Sequence, residues 1–277
     1  MGWKSILVMC IFLTGCSGIP VHTKCDIWSV ECIEEPEIVK LPSYERLLNL
    51  PPAKQMPVVA VYMFTDKTGQ RKRQDNVATF STAVSQGSTE MLIDALKTAG
   101  RGKWFRVVER SSIDHLVRER QIIMSTRKEH KQTTKLQPLL FAGMLIEGGI
   151  IGYDSNIETG GKGARYLGVG VTRQYRRDSV IVSIRAVSVL TGEILLNVQS
   201  KKTILSVGGG TDIFKFVDMD TKLIEMEDGV SKNESVTYAT RAAIEAGVLE
   251  MVYQGNDRGL WEITGVEPSD EFNEREK

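Results

Sequence analysis

The side chains that could carry chemistry in this chain are few, and their spacing suits little of it. Four cysteines and three histidines occur among 277 residues, and a metal centre needs such residues at ligand spacing, which His22 near Cys25 and Cys32 does not supply. No G-x-S-x-G, H-E-x-x-H or C-x-x-C string is present, so no nucleophile elbow, zinc-peptidase helix or redox pair is encoded. Gly160-Gly161-Lys162-Gly163 lacks the spacing of a phosphate-binding loop and its following Ser or Thr, which leaves Lys162 as a turn residue or a pore-facing charge. Asp218 and Asp220 beside Phe216 are too few carboxylates for a cation site. His115 and His130 fall on a polar helix face and in a charged loop, where solvated histidines are expected. No catalytic residue, metal or cofactor is expected, and an enzyme has no residues to stand on.

One cysteine does have a setting. Lys4 precedes the apolar run Ile6 to Leu13, which ends at Thr14-Gly15-Cys16, the plan of a secretory signal peptide over residues 1–15. Leu13-Thr14-Gly15-Cys16 also resembles the lipobox of bacterial lipoproteins, in which Cys16 takes a covalent lipid and becomes the mature N-terminus. Ser17 follows in place of the Asp that signals inner-membrane retention, so the expected location is the outer membrane, lipid-anchored, with the soluble part in the periplasm. In that oxidising compartment Cys25 and Cys32 are expected to close a short disulfide loop, with two free thiols as the alternative.

Composition narrows the classes further. Lys+Arg and Asp+Glu balance at 35 each and the hydrophobic fraction is 42%, which argues against nucleic acid as a partner and against a disordered chain. No apolar run is long enough for a transmembrane helix. Entry into a bilayer would have to use β-structure or the lipid.

The elements that must position any site follow from periodicity. Pro20, Pro36, Pro42, Pro51 and Pro52 make residues 16–56 read as an irregular, lipid-anchored N-terminal segment. Pro57 to Phe64 is a buried strand. Met91, Leu92, Ala95, Leu96 and Ala99 mark a helix ended by Gly100, and Arg106 to Glu109 a short strand. Ser111 or Ser112 can cap a helix carrying Ile113, Leu116, Val117 and Ile123, with a polar connection over 126–135. Gly143 to Tyr153 is a further strand, and Ser179 to Ser200 a hairpin turning at Thr191-Gly192-Glu193. A last helix from Ser235 to Gln254 turns Ala239, Ala242, Ala243, Ala246 and Leu249 inward. The class is α+β, with a periplasmic domain made of 57–156, 178–206 and 231–265 and a polar tail over 266–277.

Two segments do not fit a compact domain. Residues 157–177 alternate Leu167, Val169 and Val171 with glycines and polar residues, and residues 207–230 carry Phe214 and Phe216. Each is long enough for two strands of roughly ten residues, the length of a tilted membrane-spanning β-strand. Soluble surface hairpins are the competing reading of the same pattern.

Several strings, taken in order, resemble the CsgG family, the outer-membrane lipoproteins that secrete curli amyloid subunits. They are Phe80-Ser81-Thr82-Ala83-Val84, Gly152-Tyr153, Gly163-Ala164-Arg165-Tyr166, Thr191-Gly192-Glu193-Ile194-Leu195, Lys202-Thr203-Ile204-Leu205-Ser206 and Asp257-Arg258-Gly259-Leu260-Trp261. The resemblance implies a homo-oligomeric, nonameric ring in which each α+β periplasmic domain donates two transmembrane β-hairpins, 157–177 and 207–230, to one shared barrel. Closure leaves no unpaired strand edge in lipid. Leu167, Val169, Val171, Phe214 and Phe216 then become lipid-facing, and Gly168, Gly170 and Thr172 face water. It also implies a loop that narrows the channel: Phe80 keeps the family's Phe, Thr79 stands where Asn is usual, and Gln74 or Asp75 falls where a Tyr is usual. The implied partners are unfolded curli subunits and the periplasmic cap and surface nucleation proteins of the curli system. The implied function is nucleotide-independent, diffusive protein export across the outer membrane. A non-channel periplasmic lipoprotein acting as a binding or assembly module is the alternative.

Overall fold

The computed structural model describes residues 38, 40–71, 82–166, 169–217, 222–233 and 235–265. Cys16, Cys25, Cys32, Gln74, Asp75, Thr79, Phe80 and Leu167 lie outside the described residues, as do residues 1–15, expected to be a signal peptide, and those from 266 onward. The chain divides into a unit over Met1–Lys40 and a compact unit over Leu41–Lys277.

The compact unit runs α1 (Pro42–Leu48), β1 (Val58–Asp66), α2 (Ser88–Thr98), β2 (Arg106–Glu109), α3 (Ile113–Glu129), β3 (Met144–Tyr166), β4 (Val169–Ser188), β5 (Ile194–Val217), β6 (Lys222–Asn233) and α4 (Val236–Asp257). The strands form one six-stranded sheet in the order β2-β1-β3-β4-β5-β6. β1 is parallel to both β2 and β3, and the remaining pairs are antiparallel. The expected α+β class is what forms.

α1 occupies part of the segment whose prolines suggest an irregular run. Pro42 stands at the start of the helix, where its missing N–H costs nothing, and Leu47 and Leu50 are buried. The proline count signals interruption, but the position of this one permits a helix. α2 buries Leu92, Ala95 and Leu96 and ends as expected, with Gly100 at φ 56°. α3 starts after Ser112 but no residue of it is buried. Arg120 and Arg127 donate to the carbonyls of Gln137 and Thr134 at 2.6 and 2.9 Å, so the connection behind it gives the helix most of its support.

α4 is capped by Ser235, whose hydroxyl accepts from the Tyr238 amide. It packs on β4 and β5 on one side and on α1 and α2 on the other. That sandwich explains why Ala239, Ala243 and Leu249 are buried as expected, and why Ile244, Glu245, Val248 and Val252 are buried too. Ala246, expected inward, is exposed, because the second packed side uses residues that a single-stripe reading leaves out. Trp104, Phe105 and Trp261 close one end of the core, with ring centroids 5.4 to 6.0 Å apart. Trp104 donates to the Pro51 carbonyl and Trp261 to the Val252 carbonyl. Buried Glu245 accepts a hydrogen bond from the Ser43 hydroxyl of α1. Burial pushes its carboxyl above the usual carboxylate range, against that hydrogen bond and the field of Arg241, while Asp94 pushes the same way as burial.

Candidate membrane hairpins

The four C-terminal strands are far longer than the domain needs. β3, β4 and β5 have 23, 20 and 24 residues, against roughly five or six in an ordinary globular strand. On β4 the buried positions Val180, Val182, Ile184 and Ala186 lie under α4, and burial stops at Asp178. From Val171 to Arg177 every residue is exposed. The strands therefore leave the core as a continuous ribbon, and the hairpins are extensions of the domain's own sheet rather than separate insertions.

Two edges of that ribbon are open among the described residues. β1 accompanies β3 only as far as Ile150, so the outer part of β3 pairs with β4 alone. β6 pairs with β5 alone. An isolated ribbon in lipid would leave both rows of backbone groups without partners, at several kcal/mol per group.

Antiparallel register sorts the ribbon's residues into two sets, because successive side chains alternate between faces. Tyr166 pairs with Val169, Ala164 with Val171, Val171 with Thr211 and Val169 with Ile213. Continuing across β6, the same set takes in Met226 and Ile224, and also Asp228 as the partner of Thr211. Its apolar members are bounded by Lys162 and Arg173 on the domain side and by Lys215 and Lys222 at the far end. Tyr166 and Val171 of this stretch are 79% and 53% exposed in the protomer, and Leu205, of the same parity but on the domain side of Arg173, is 48% exposed. The second set holds Gly163, Thr172, Gly210 and Gly229 in one row, and Arg165, Gly170, Asp212 and Glu227 in the next. Thr159, Gly161, Gln174, Arg176, Ser206 and Gly208 of this set, with Gly160 and Tyr175, line a hollow of about 550 Å³.

The expected lipid-facing group is divided by this register. Val169 and Val171 fall in the apolar set, but Ile213 is the partner of Val169, so Phe214 and Phe216 occupy positions of the other set. Phe214 and Phe216 pair with Glu225 and Leu223 close to the end of β5. Of the four that lie in described strands, Val169 and Val171 share one parity and Phe214 and Phe216 the other. Leu167 falls between the end of β3 and the start of β4, outside the described residues. Lys162, read as a turn residue or a pore-facing charge, is not in a turn: it is mid-strand, opposite Arg173 in Val171's set.

Where the ribbon leaves the core, a small polar cluster sits at its base. Asp178 is 2% exposed and holds the Arg176 guanidinium at 3.2 Å. Tyr153 lies near it, and burial, then the Asp178 charge, push its phenol above the ordinary tyrosine range. On the other face Glu158 accepts from the Tyr175 hydroxyl at 3.0 Å and pairs with Arg177 at 2.7 Å. A Cβ on Gly160 would stand 2.5 Å from the Tyr175 ring, so a side chain there would displace that ring. Sequence pattern did not single out Arg176 or Asp178. A carboxylate flanked by arginines, next to a β-branched run, was the available signal.

Among the described residues no group of three or more His, Cys, Asp or Glu is placed to hold a metal ion. No helix among them is long and apolar enough to cross a membrane, which says nothing of strands.

A sequence profile of the curli production assembly/transport component CsgG matches residues 40–277. The chain belongs to the CsgG family. CsgG proteins of Salmonella typhimurium and Escherichia coli, both described as curli production assembly/transport components, are each 38% identical to it over 262 residues, 93% of this chain and 90% of theirs. Among solved structures, lipoprotein GNA1162 from Neisseria meningitidis aligns at 11% identity over 53% of this chain and 82% of that one, with a TM-score of 0.27, too distant to bear on the fold. CsgG membership covers the whole compact unit, ribbon included.

Proposed function

We propose that this CsgG-family chain is an outer-membrane secretion channel for unfolded curli-type amyloid subunits. A curli-related secretion role follows from its family and from the description its relatives carry. The observation that favours a channel is the ribbon: four long antiparallel strands that leave the core with both edges open, one set of positions mostly apolar over Ala164, Tyr166, Val169, Val171 and Ile213, with Thr211 and Asp228 as its polar members there, and the other glycine-rich and polar. β3 and β6 run in opposite directions, so β6 of one protomer can pair antiparallel with β3 of the next and close a ring without edges. Under that reading Ala164, Tyr166, Val169, Val171 and Ile213 face lipid, long basic residues at both margins reach the headgroups, and Thr172, Gln174 and the glycines line a water-filled lumen. Phe214 and Phe216 then lie on the lumen side near the far end of the strands. A helix such as α3, with no buried residue, is marginal alone, and ring assembly gives it a neighbour.

Export is diffusive and nucleotide-independent in this proposal, since the periplasm carries no ATP supply. The lipid on Cys16 concentrates the protomer at the bilayer, Phe80 and Thr79 form the collar of the throat together with Gln74 or Asp75, and periplasmic and surface curli proteins confine and receive the substrate. Planar-bilayer recording on the purified protein tests the reading. Discrete, long-lived conductance steps from heat-labile oligomers are expected. Monomeric protein that never conducts would favour the binding or assembly module instead.

A further inference from the structure

We propose that the hollow over Arg176 is a carboxylate-binding step in the channel wall, which receives acidic side chains of the polypeptide in transit. The protomer builds this hollow by itself, and the channel reading is needed only to name the ligand as a passing chain.

Register puts Thr159, Arg176 and Ser206 side by side in one row, with Gly161, Gln174 and Gly208 in the adjacent row. The two glycines remove the side chains that would flank Gln174, and the space they leave is the hollow of about 550 Å³. A Cβ placed on Gly208 meets no atom within 4 Å, so the opening there is real room rather than a tight backbone approach. The groups around it are two hydroxyls, an amide and a guanidinium, all able to donate. Arg176 is the one charge in these two rows.

Asp178 does not cancel that charge at the hollow. Its side chain is 2% exposed beneath the ribbon while that of Arg176 is 52% exposed, so the anion is buried and the cation faces solvent. A guanidinium has five N–H donors in a rigid fork, and one carboxylate at 3.2 Å leaves donors over. The buried Asp178 therefore acts to hold the fork in place. Glu158, next to Thr159 on β3, is engaged by Arg177 and Tyr175 on the other face. A second carboxylate entering the hollow would meet a preset, partly desolvated donor array, the setting in which charge-assisted hydrogen bonds are strongest.

The test uses the full-length lipidated protein in detergent and a fluorescently labelled pentaglutamate peptide, with pentalysine as control. Pentaglutamate should bind in preference to pentalysine, and Arg176→Gln should weaken it about tenfold, the factor one charge-assisted hydrogen bond is worth. Because Arg176→Gln strands the buried Asp178, Gly208→Glu is the second variant: it leaves that pair intact, fits the open space, and should abolish pentaglutamate binding. In bilayers the same peptide should give blockades whose dwell times shorten in both variants. Unchanged affinity in Gly208→Glu, equal binding of both peptides, or displacement by acetate as effective per carboxylate as by the peptide would each overturn the proposal. Protein that binds pentaglutamate in this manner but never conducts would instead refute the channel reading and leave the carboxylate site standing.

Discussion

Replacing Val171 and Thr172 in turn by arginine separates a lipid-facing wall from a water-facing one, since the two are adjacent in sequence and opposite in parity. Val171 pairs with Ala164 and Thr211. The apolar stretch of its set is bounded on β5 by Gly209, the partner of Arg173, and by Lys215. The six residue steps from Gly209 to Lys215 span about 20 Å along the strand, or about 15 Å across the membrane at a tilt of about 40°. Position 211 lies close to the middle of that interval. An arginine at mid-depth costs about 2 to 4 kcal/mol, and in so thin an apolar band, with Asp228 on the same row as Thr211, the lower figure applies. About 2 kcal/mol reduces the inserted fraction roughly 30-fold per protomer, and the effect compounds around a ring. Thr172→Arg loses only a long hydroxyl contact to the Gly210 carbonyl at 3.4 Å and should stay within about 0.5 kcal/mol, as for an ordinary surface change. Outer-membrane fractions run without heating would show the oligomer band lost in Val171→Arg and kept in Thr172→Arg. Equal bands for both variants, or loss in Thr172→Arg alone, would refute the assignment of faces.

Three further outcomes are expected. Gly255→Ala places a Cβ 2.1 Å from the Trp261 ring and should cost about 1 to 3 kcal/mol by overpacking, read as a lowered urea midpoint with a shifted tryptophan emission; an unchanged midpoint would show that the ring yields freely. Glu245 is raised in the folded state from 4.5, so its contribution is full below about that pH and is lost as pH rises through the folded value; Glu245→Gln should therefore gain relative to the parent between acid and neutral pH, and a pH-independent difference in urea midpoints would contradict this. Phe80→Ala should raise single-channel conductance severalfold if a ring of Phe80 narrows the lumen, whereas a core position would lose about 3 to 5 kcal/mol and give little oligomer.

Sequence alone determined the elements whose signals are local. The β-branched run at Val58, the helical spacing from Met91 to Ala99 with Gly100 after it, the Ser235 cap and the Thr191-Gly192-Glu193 turn each stand in the structure where periodicity puts them. So did the family, because several ordered strings carry more information than any one of them. Helix α1 was hidden because counting prolines ignores that Pro42 occupies a tolerated first turn. Ala246 was misplaced because α4 packs on two sides, and one stripe cannot describe a helix in a sandwich. The division of Val171 from Phe214 could only come from pairing: alternation tells which residues in one strand share a face, but not how the parity of β4 maps onto β5. That mapping is set by the turn and by register, and here Val169 opposite Ile213 decides it. Arg176 and Asp178 are likewise two ordinary charged residues in sequence, and only the point where the core ends makes one buried and the other exposed.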